Sequence, residues 1–419
     1  MNPGFVHHPP ARRWTGTKGV SAVKISTRAM SVTVALGGLA FLTGCSAASA
    51  ATWQAPGTRP GQKAPAGPSI TAPADGAKDV PAAAELVLAG ADPKTPVTLT
   101  AADGTAVAGA LRPDNSTWVP ATQLTWGTTY TATVGTAGRK VSFTTMNKPG
   151  NLVRVSTTLE DDAVYGVAMP LVIRFDEDVP KSARAAVEKR LFVTSEPAQR
   201  GAWNWFSDTE VHYRTEKYWQ EGTKFHLRVG TGGLRLGDGA YGGGDLTVDA
   251  SIGDKVEMVT DNATKMMTVT VHDQVVRTIP VSLGKPSKPS SSGHMVVMAK
   301  AQSEVFVGTD PGDSYRTTVY WTQRLTIGGE YLHAAPWSEG DQGKRNVSHG
   351  CTNMSTENAK WLWQLTHVGD PVTVTGTGAK LDWGNGYTDW DVSFDLYLRG
   401  SALPAPAAPA SPSPSPSAS

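Results

Sequence analysis

The sequence predicts a mainly β chain: two β-sandwich domains in tandem, then a third β-rich unit with one or two helices. Three observations carry that expectation. The 419 residues include 44 glycines and 29 prolines, which disfavours long helices and favours short strands with frequent turns. Short runs between Glu85 and Thr375 alternate apolar and polar side chains at period two. Asp103-Gly104, Asp114-Asn115 and the stretch from Gly135 to Gly138 punctuate those runs as turns. The chain is long enough for about three domains, and a hydrophobic fraction of 39% suffices for packed cores. Lys plus Arg total 38 against 37 for Asp plus Glu, a net charge of +1. With no basic stripe interleaved with aromatics, this balance argues against a nucleic-acid partner.

The elements follow in order. Residues 1–45 carry Arg12, Arg13, Lys18, Lys24 and Arg28 without an acidic residue, then the apolar run Val32 to Leu42. That run is too short to span a bilayer comfortably and reads as an export signal. It ends in Leu42-Thr43-Gly44-Cys45, which resembles the lipobox of bacterial lipoproteins. The resemblance implies lipidation of Cys45 and anchoring at the outer face of the cell membrane. Each buried acyl methylene adds roughly 0.8 kcal/mol, so two or more chains hold durably. Residues 46–65 are an Ala/Gly/Pro/Thr-rich flexible linker, and 401–419 a Pro/Ala/Ser tail expected to be disordered.

Residues 66–147 hold short strands at Glu85–Ala89, Pro96–Thr100, Thr129–Val134 and Lys140–Thr144, an immunoglobulin-like pattern. Residues 148–250 repeat it, with strands at Leu171–Phe175, Arg190–Thr194 and Lys224–Val229. Trp203, Trp205, Tyr213 and Trp219 lie here; they form either a glycan-stacking surface or core packing, packing being the commoner use. Residues 251–378 open with a hairpin of Lys255–Val259 and Met266–Val271, followed by a strand from Val275. One helix is expected near Thr356 to Thr366, with Ser355 as N-cap and Gly369 near its stop. A strand from Pro371 and a Trp-rich piece over 379–400 complete the chain.

The chemistry-bearing residues cluster late, in Tyr331-Leu-His333-Ala-Ala-Pro-Trp337 and Ser348-His349-Gly350-Cys351-Thr352-Asn353. A free thiol with a pKa near 8.5 is only a few per cent thiolate at neutral pH, so Cys351 needs a base. His349 lies two residues before it and His333 eighteen. A base on a separate strand approaches the sulfur squarely, which favours His333. Gly350 suits a tight turn, and the N–H groups of Gly350 and Cys351 are candidates to face an oxyanion. His333, His349 and Cys351 would need a fourth ligand to hold zinc, and none stands at familiar spacing. Neither metal nor cofactor is expected. Cys45 and Cys351 each have an explanation other than pairing with one another.

Ser348-His-Gly-Cys351, with His333-x-x-Pro336-Trp337 upstream, resembles the L,D-transpeptidase catalytic domain of bacterial peptidoglycan synthesis. The actinobacterial branch of that family shares the order of lipobox, two immunoglobulin-like domains, catalytic domain and Trp-rich end, so the resemblance spans roughly residues 66 to 400. It implies Cys351 as acylated nucleophile, His333 as base, the Ala334 carbonyl as orienter of the imidazole and His349 as support. It also implies substrate-binding roles for Tyr315, Trp337, Ser348 and Asn353. Ser282-x-Gly284 and Gly293 resemble the upstream glycine pattern of the domain. Ala334 stands where relatives often carry serine, and Asn353 where the wider family has arginine. Lys288-Pro289 replaces Thr-Pro, and His294 and the stretch from Met298 to Ser303 also depart from relatives. The implied reaction joins two peptidoglycan stem peptides, donor and acceptor, in a 3→3 cross-link. β-Lactams of the carbapenem type are the implied covalent inhibitors, and the sandwiches a spacer from membrane into wall. Two alternatives stand beside it: a carboxypeptidase or endopeptidase using the same sulfur, and a non-catalytic wall-binding lipoprotein.

Overall fold

The computed structural model describes residues 67–404 except Asp238, Asp310, Pro311 and Asp313. Cys45, the export signal, the linker and most of the tail lie outside the described residues. In the first sandwich a four-stranded sheet faces a five-stranded one. Period-two alternation is visible in Leu86–Ala89, where Leu86 and Leu88 are buried and Val87 is exposed. Tyr130 and Phe143 stack at 5.8 Å inside it. Gly104, at φ +89°, makes the Asp103-Gly104 turn, and its N–H donates to the Ala101 carbonyl at 2.9 Å.

Two four-stranded sheets build the second sandwich, with Leu171–Phe175 and Glu210–Thr215 in one and Lys224–Val229 and Leu246–Ile252 in the other. Trp203, Trp205, Tyr213 and Trp219 are all under 10% exposed within its core. They pack and present no stacking surface. The Trp219 indole N–H donates to the Met169 carbonyl at 2.9 Å, and that of Trp205 to Glu188 at 2.7 Å. The sequence reading lacks the Lys181–Glu188 helix, which buries Ala183 and Val187 and begins after Pro180.

A six-stranded and a four-stranded sheet form the third unit. Met258, Met267, Leu332, Met354 and Leu362 share its core. The helix runs Thr356–Leu365, and the Ser355 hydroxyl accepts the Asn358 N–H at 3.2 Å. The two longest strands, Ala299–Gly308 and Tyr315–Arg324, form an antiparallel hairpin that the sequence reading does not contain. The Trp-rich end lies against the second sandwich: Tyr387 joins the buried core there and Trp390 packs on it.

Candidate active site

The site is organised by one parallel strand pair. Tyr331–Ala334 lies beside Thr352–Met354, with Leu332 opposite Thr352, His333 opposite Asn353 and Ala334 opposite Met354. Side chains alternate across a strand. Leu332, Ala334 and Met354 enter the core. His333 and Asn353 therefore face the other way, and Cys351, two residues before Asn353, shares their face. All three line a cleft of about 540 Å3 with Phe306, Tyr315, Trp337 and His349.

The turn delivering Cys351 is held from inside. Ser348 donates its backbone N–H to the Leu283 carbonyl at 3.0 Å and accepts that of Lys285 at 2.9 Å. Its hydroxyl donates to the Cys351 carbonyl at 2.6 Å and accepts the Gly350 N–H at 3.1 Å. Ser290 donates to the Gly350 carbonyl at 2.6 Å. Gly350 sits at φ +123°, a backbone region that a side chain strains. Ser348 also lines the cleft. The Ser348 hydroxyl and the Gly350 N–H are engaged with the turn itself, because closing it tightly leaves both buried and in need of partners. Of the pair proposed for an oxyanion, the Cys351 N–H remains.

His333 is 3% exposed, and its Nδ1 lies 2.8 Å from the Ala334 carbonyl oxygen. A carbonyl only accepts, so Nδ1 carries the proton and the basic lone pair is on Nε2. Burial lowers the pKa of this imidazole, and the bond to Ala334 offsets part of that. The ring meets Phe306 edge-on at 5.5 Å and lies 6.1 Å from Trp337, which is 59% exposed at the cleft rim.

The Cys351 sulfur donates to the Gly329 carbonyl at 3.6 Å. Burial pushes the thiol up to about 12, against a smaller opposing effect of the Tyr331 N–H. The resting group is thus a thiol. His349 Nε2 lies 3.1 Å from the Lys285 ammonium, which has no acceptor capacity, so this nitrogen accepts and is unprotonated. The ring of Tyr315 lies 4.9 Å from His349. Tyr315 also covers Gly308, where an added Cβ would fall 2.3 Å from its ring. Asn353 is 3% exposed, and its amide donates to Ser338 at 3.1 Å, so it braces the 336–338 turn from within the cleft.

Sequence reasoning missed Phe306 and Ser338, both of which line the cleft. Ser338 follows Trp337 directly and could have been suspected; Phe306 becomes a neighbour of His333 only through hairpin pairing. Among the described residues, Glu221, Asp254 and His272 are close enough to share a cation, but all are exposed and outside the cleft.

Residues 255–374 match the model of the L,D-transpeptidase catalytic domain, and residues 77–235 that of a bacterial Ig domain. L,D-transpeptidase 2 of Mycobacterium tuberculosis is 35% identical over 350 residues, covering 80% of this chain and 85% of that protein. L,D-transpeptidase 5 of the same species is 33% identical over 362 residues, covering 83% and 80%. A solved LD transpeptidase in complex with imipenem is 32% identical and covers 54% of this chain and 100% of its own, with a TM-score of 0.46.

Proposed function

This chain belongs to the L,D-transpeptidase family, and on that premise we propose that it forms 3→3 cross-links between peptidoglycan stems through a thioester on Cys351. The observation that carries the reading is the pairing of Cys351 with a neutral imidazole of defined tautomer on one face of one strand pair, inside one cleft.

The donor is a tetrapeptide stem ending in a diamino acid and D-alanine. Cys351 leaves Gly329, its sulfur attacks the carbonyl carbon, and the thiol proton passes to His333 Nε2. The oxyanion meets the Cys351 N–H and the Tyr315 hydroxyl. The C–N bond breaks as His333 returns the proton to the departing D-alanine amine, leaving a thioester. The side-chain amine of a second stem attacks next. His333 takes its proton, the C–S bond breaks, and the sulfur is reprotonated. The Ala334 carbonyl stabilises the imidazolium in both half-reactions, as an orienting acceptor does in other nucleophile–histidine pairs.

Export and lipidation at Cys45 belong to the same proposal. They would hold the chain at the outer membrane face with the sandwiches carrying the cleft into the wall. Intact-mass spectrometry after exposure to a carbapenem tests the nucleophile: one covalent adduct is expected, absent in Cys351→Ala. Muropeptide product analysis then separates cross-linking from hydrolysis, and release of D-alanine without dimers would overturn the transfer reading.

A further inference from the structure

Glu330 is a half-buried carboxylate beside the nucleophile that the reaction above does not use. It is the residue between the two backbone groups that touch the Cys351 sulfur: the Gly329 carbonyl accepts the thiol at 3.6 Å, and the Tyr331 N–H faces the sulfur. Its stem runs beside Gly350, where an added Cβ would lie 3.7 Å from Glu330 Cγ. The carboxylate's partners among the described residues are both neutral, the Ser291 hydroxyl at 2.7 Å and the Ser291 N–H at 3.2 Å. Two like charges placed close together in a partly desolvated site disfavour each other. A carboxylate here therefore opposes a thiolate next door, while the Gly329 carbonyl offers the thiol proton an acceptor.

We propose that Glu330 is a positioning residue that adds to burial in keeping Cys351 a neutral thiol, turned to Gly329, until substrate enters the cleft. The idea rests on Cys351 being the nucleophile. Its chemical consequence is protection: a stored thiol reacts slowly with oxidants and soft electrophiles, since the thiolate is the reactive form. The other titratable groups around the sulfur are His333 and Tyr331 on the neighbouring strand, His349 on its own turn, Tyr315 on the hairpin and Asp341 in the cleft lining. None of these is altered by changing Glu330.

The test is alkylation of the full chain by iodoacetamide from about pH 6 to about pH 10, followed at Cys351 by peptide-resolved mass spectrometry. Glu330→Gln is expected to react about threefold to tenfold faster than the parent at about pH 8, with its profile displaced to lower pH. Ser291→Ala keeps the charge and loses only a hydroxyl bond, so its rate should stay at or below that of the parent. A Glu330→Gln profile that superimposes on the parent, or equal acceleration by Ser291→Ala, overturns the proposal; the latter would mean that loosening the clamp is what matters. Should Glu330→Gln not fold, Glu330→Asp withdraws the carboxylate by one methylene. A smaller acceleration then supports the idea, and no change sinks it. Alkylation requires only a thiolate, so this outcome is independent of whether Cys351→Ala abolishes cross-linking.

Discussion

His333 shows how one hydrogen bond sets a chemical role. The Ala334 carbonyl takes Nδ1–H at 2.8 Å, so the lone pair that faces chemistry is on Nε2 without any further tuning. Alanine suffices at position 334, because the backbone supplies the acceptor. Burial moves the imidazole below its ordinary pKa of 6.5. A base must be neutral to act, so a lowered pKa extends activity to more acidic pH. The acid limb of kcat/KM is expected below 6.5, and a limb at or above that value would contradict the assignment. Replacing the ring should be severe. His333→Gln is expected to slow carbapenem acylation by about 100-fold or more, with the fold intact by circular dichroism.

Among the elements, legibility followed local chemistry. The Thr356–Leu365 helix was readable because Ser355 caps it and an apolar stripe runs inside it; Ser355→Ala should cost about 1 kcal/mol in denaturant melts. Strands such as Thr129–Val134, Leu171–Phe175 and Met266–Val271 were readable because β-branched and apolar residues alternate in them. The Ala299–Gly308 and Tyr315–Arg324 hairpin was not. One of its faces leaves Val305, Val307 and Tyr320 about half exposed, so no clean in–out pattern marks it, and nine antiparallel pairs sustain it. Cys351 and His333 could be singled out as candidates from motif and spacing, whereas Phe306 and Glu330 come near them only through tertiary neighbours that no local pattern reports. The hairpin also explains Gly308. A side chain there would strike the Tyr315 ring at 2.3 Å. Gly308→Val is therefore expected to displace Tyr315 from His349 and lower kcat about 100-fold, as loss of one oxyanion donor does. The melting temperature should change little, because the position is at the hairpin's end; a variant with parental turnover would remove Tyr315 from the mechanism.

For the whole molecule, the decisive contact is the one that ties the Trp-rich end to the second sandwich. His212, 1% exposed, lies between Asp389 at 3.1 Å and Glu210 at 2.7 Å. Tyr397 donates to the same Asp389 at 2.8 Å, Asn204 donates to the Tyr397 carbonyl at 2.7 Å, and Trp390 to the Ala168 carbonyl at 2.8 Å. Asp391, in the same segment, accepts the His294 N–H of the catalytic sheet at 2.9 Å. One short stretch thus joins both bodies, and the charge on His212 is expected to strengthen its hold on the second sandwich. Burial alone would lower the pKa of His212, but the carboxylates of Asp389 and Glu210 outweigh it and raise the group from 6.5 to about 9. A raised folded pKa means a contribution that is full below the unfolded value and disappears as pH climbs through the folded one. The docking contribution should therefore be complete below 6.5 and fall away as pH rises through about 9. Removing the imidazole leaves the buried Asp389 carboxylate without its cation, while the half-buried Glu210 keeps Arg174, so His212→Gln is expected to cost about 3 kcal/mol at the acidic end of that window. At its alkaline end the parent has lost the same charge, and the two proteins should converge. Melting curves across the window check this, and a constant gap between parent and variant would show that His212 acts by packing instead of by charge.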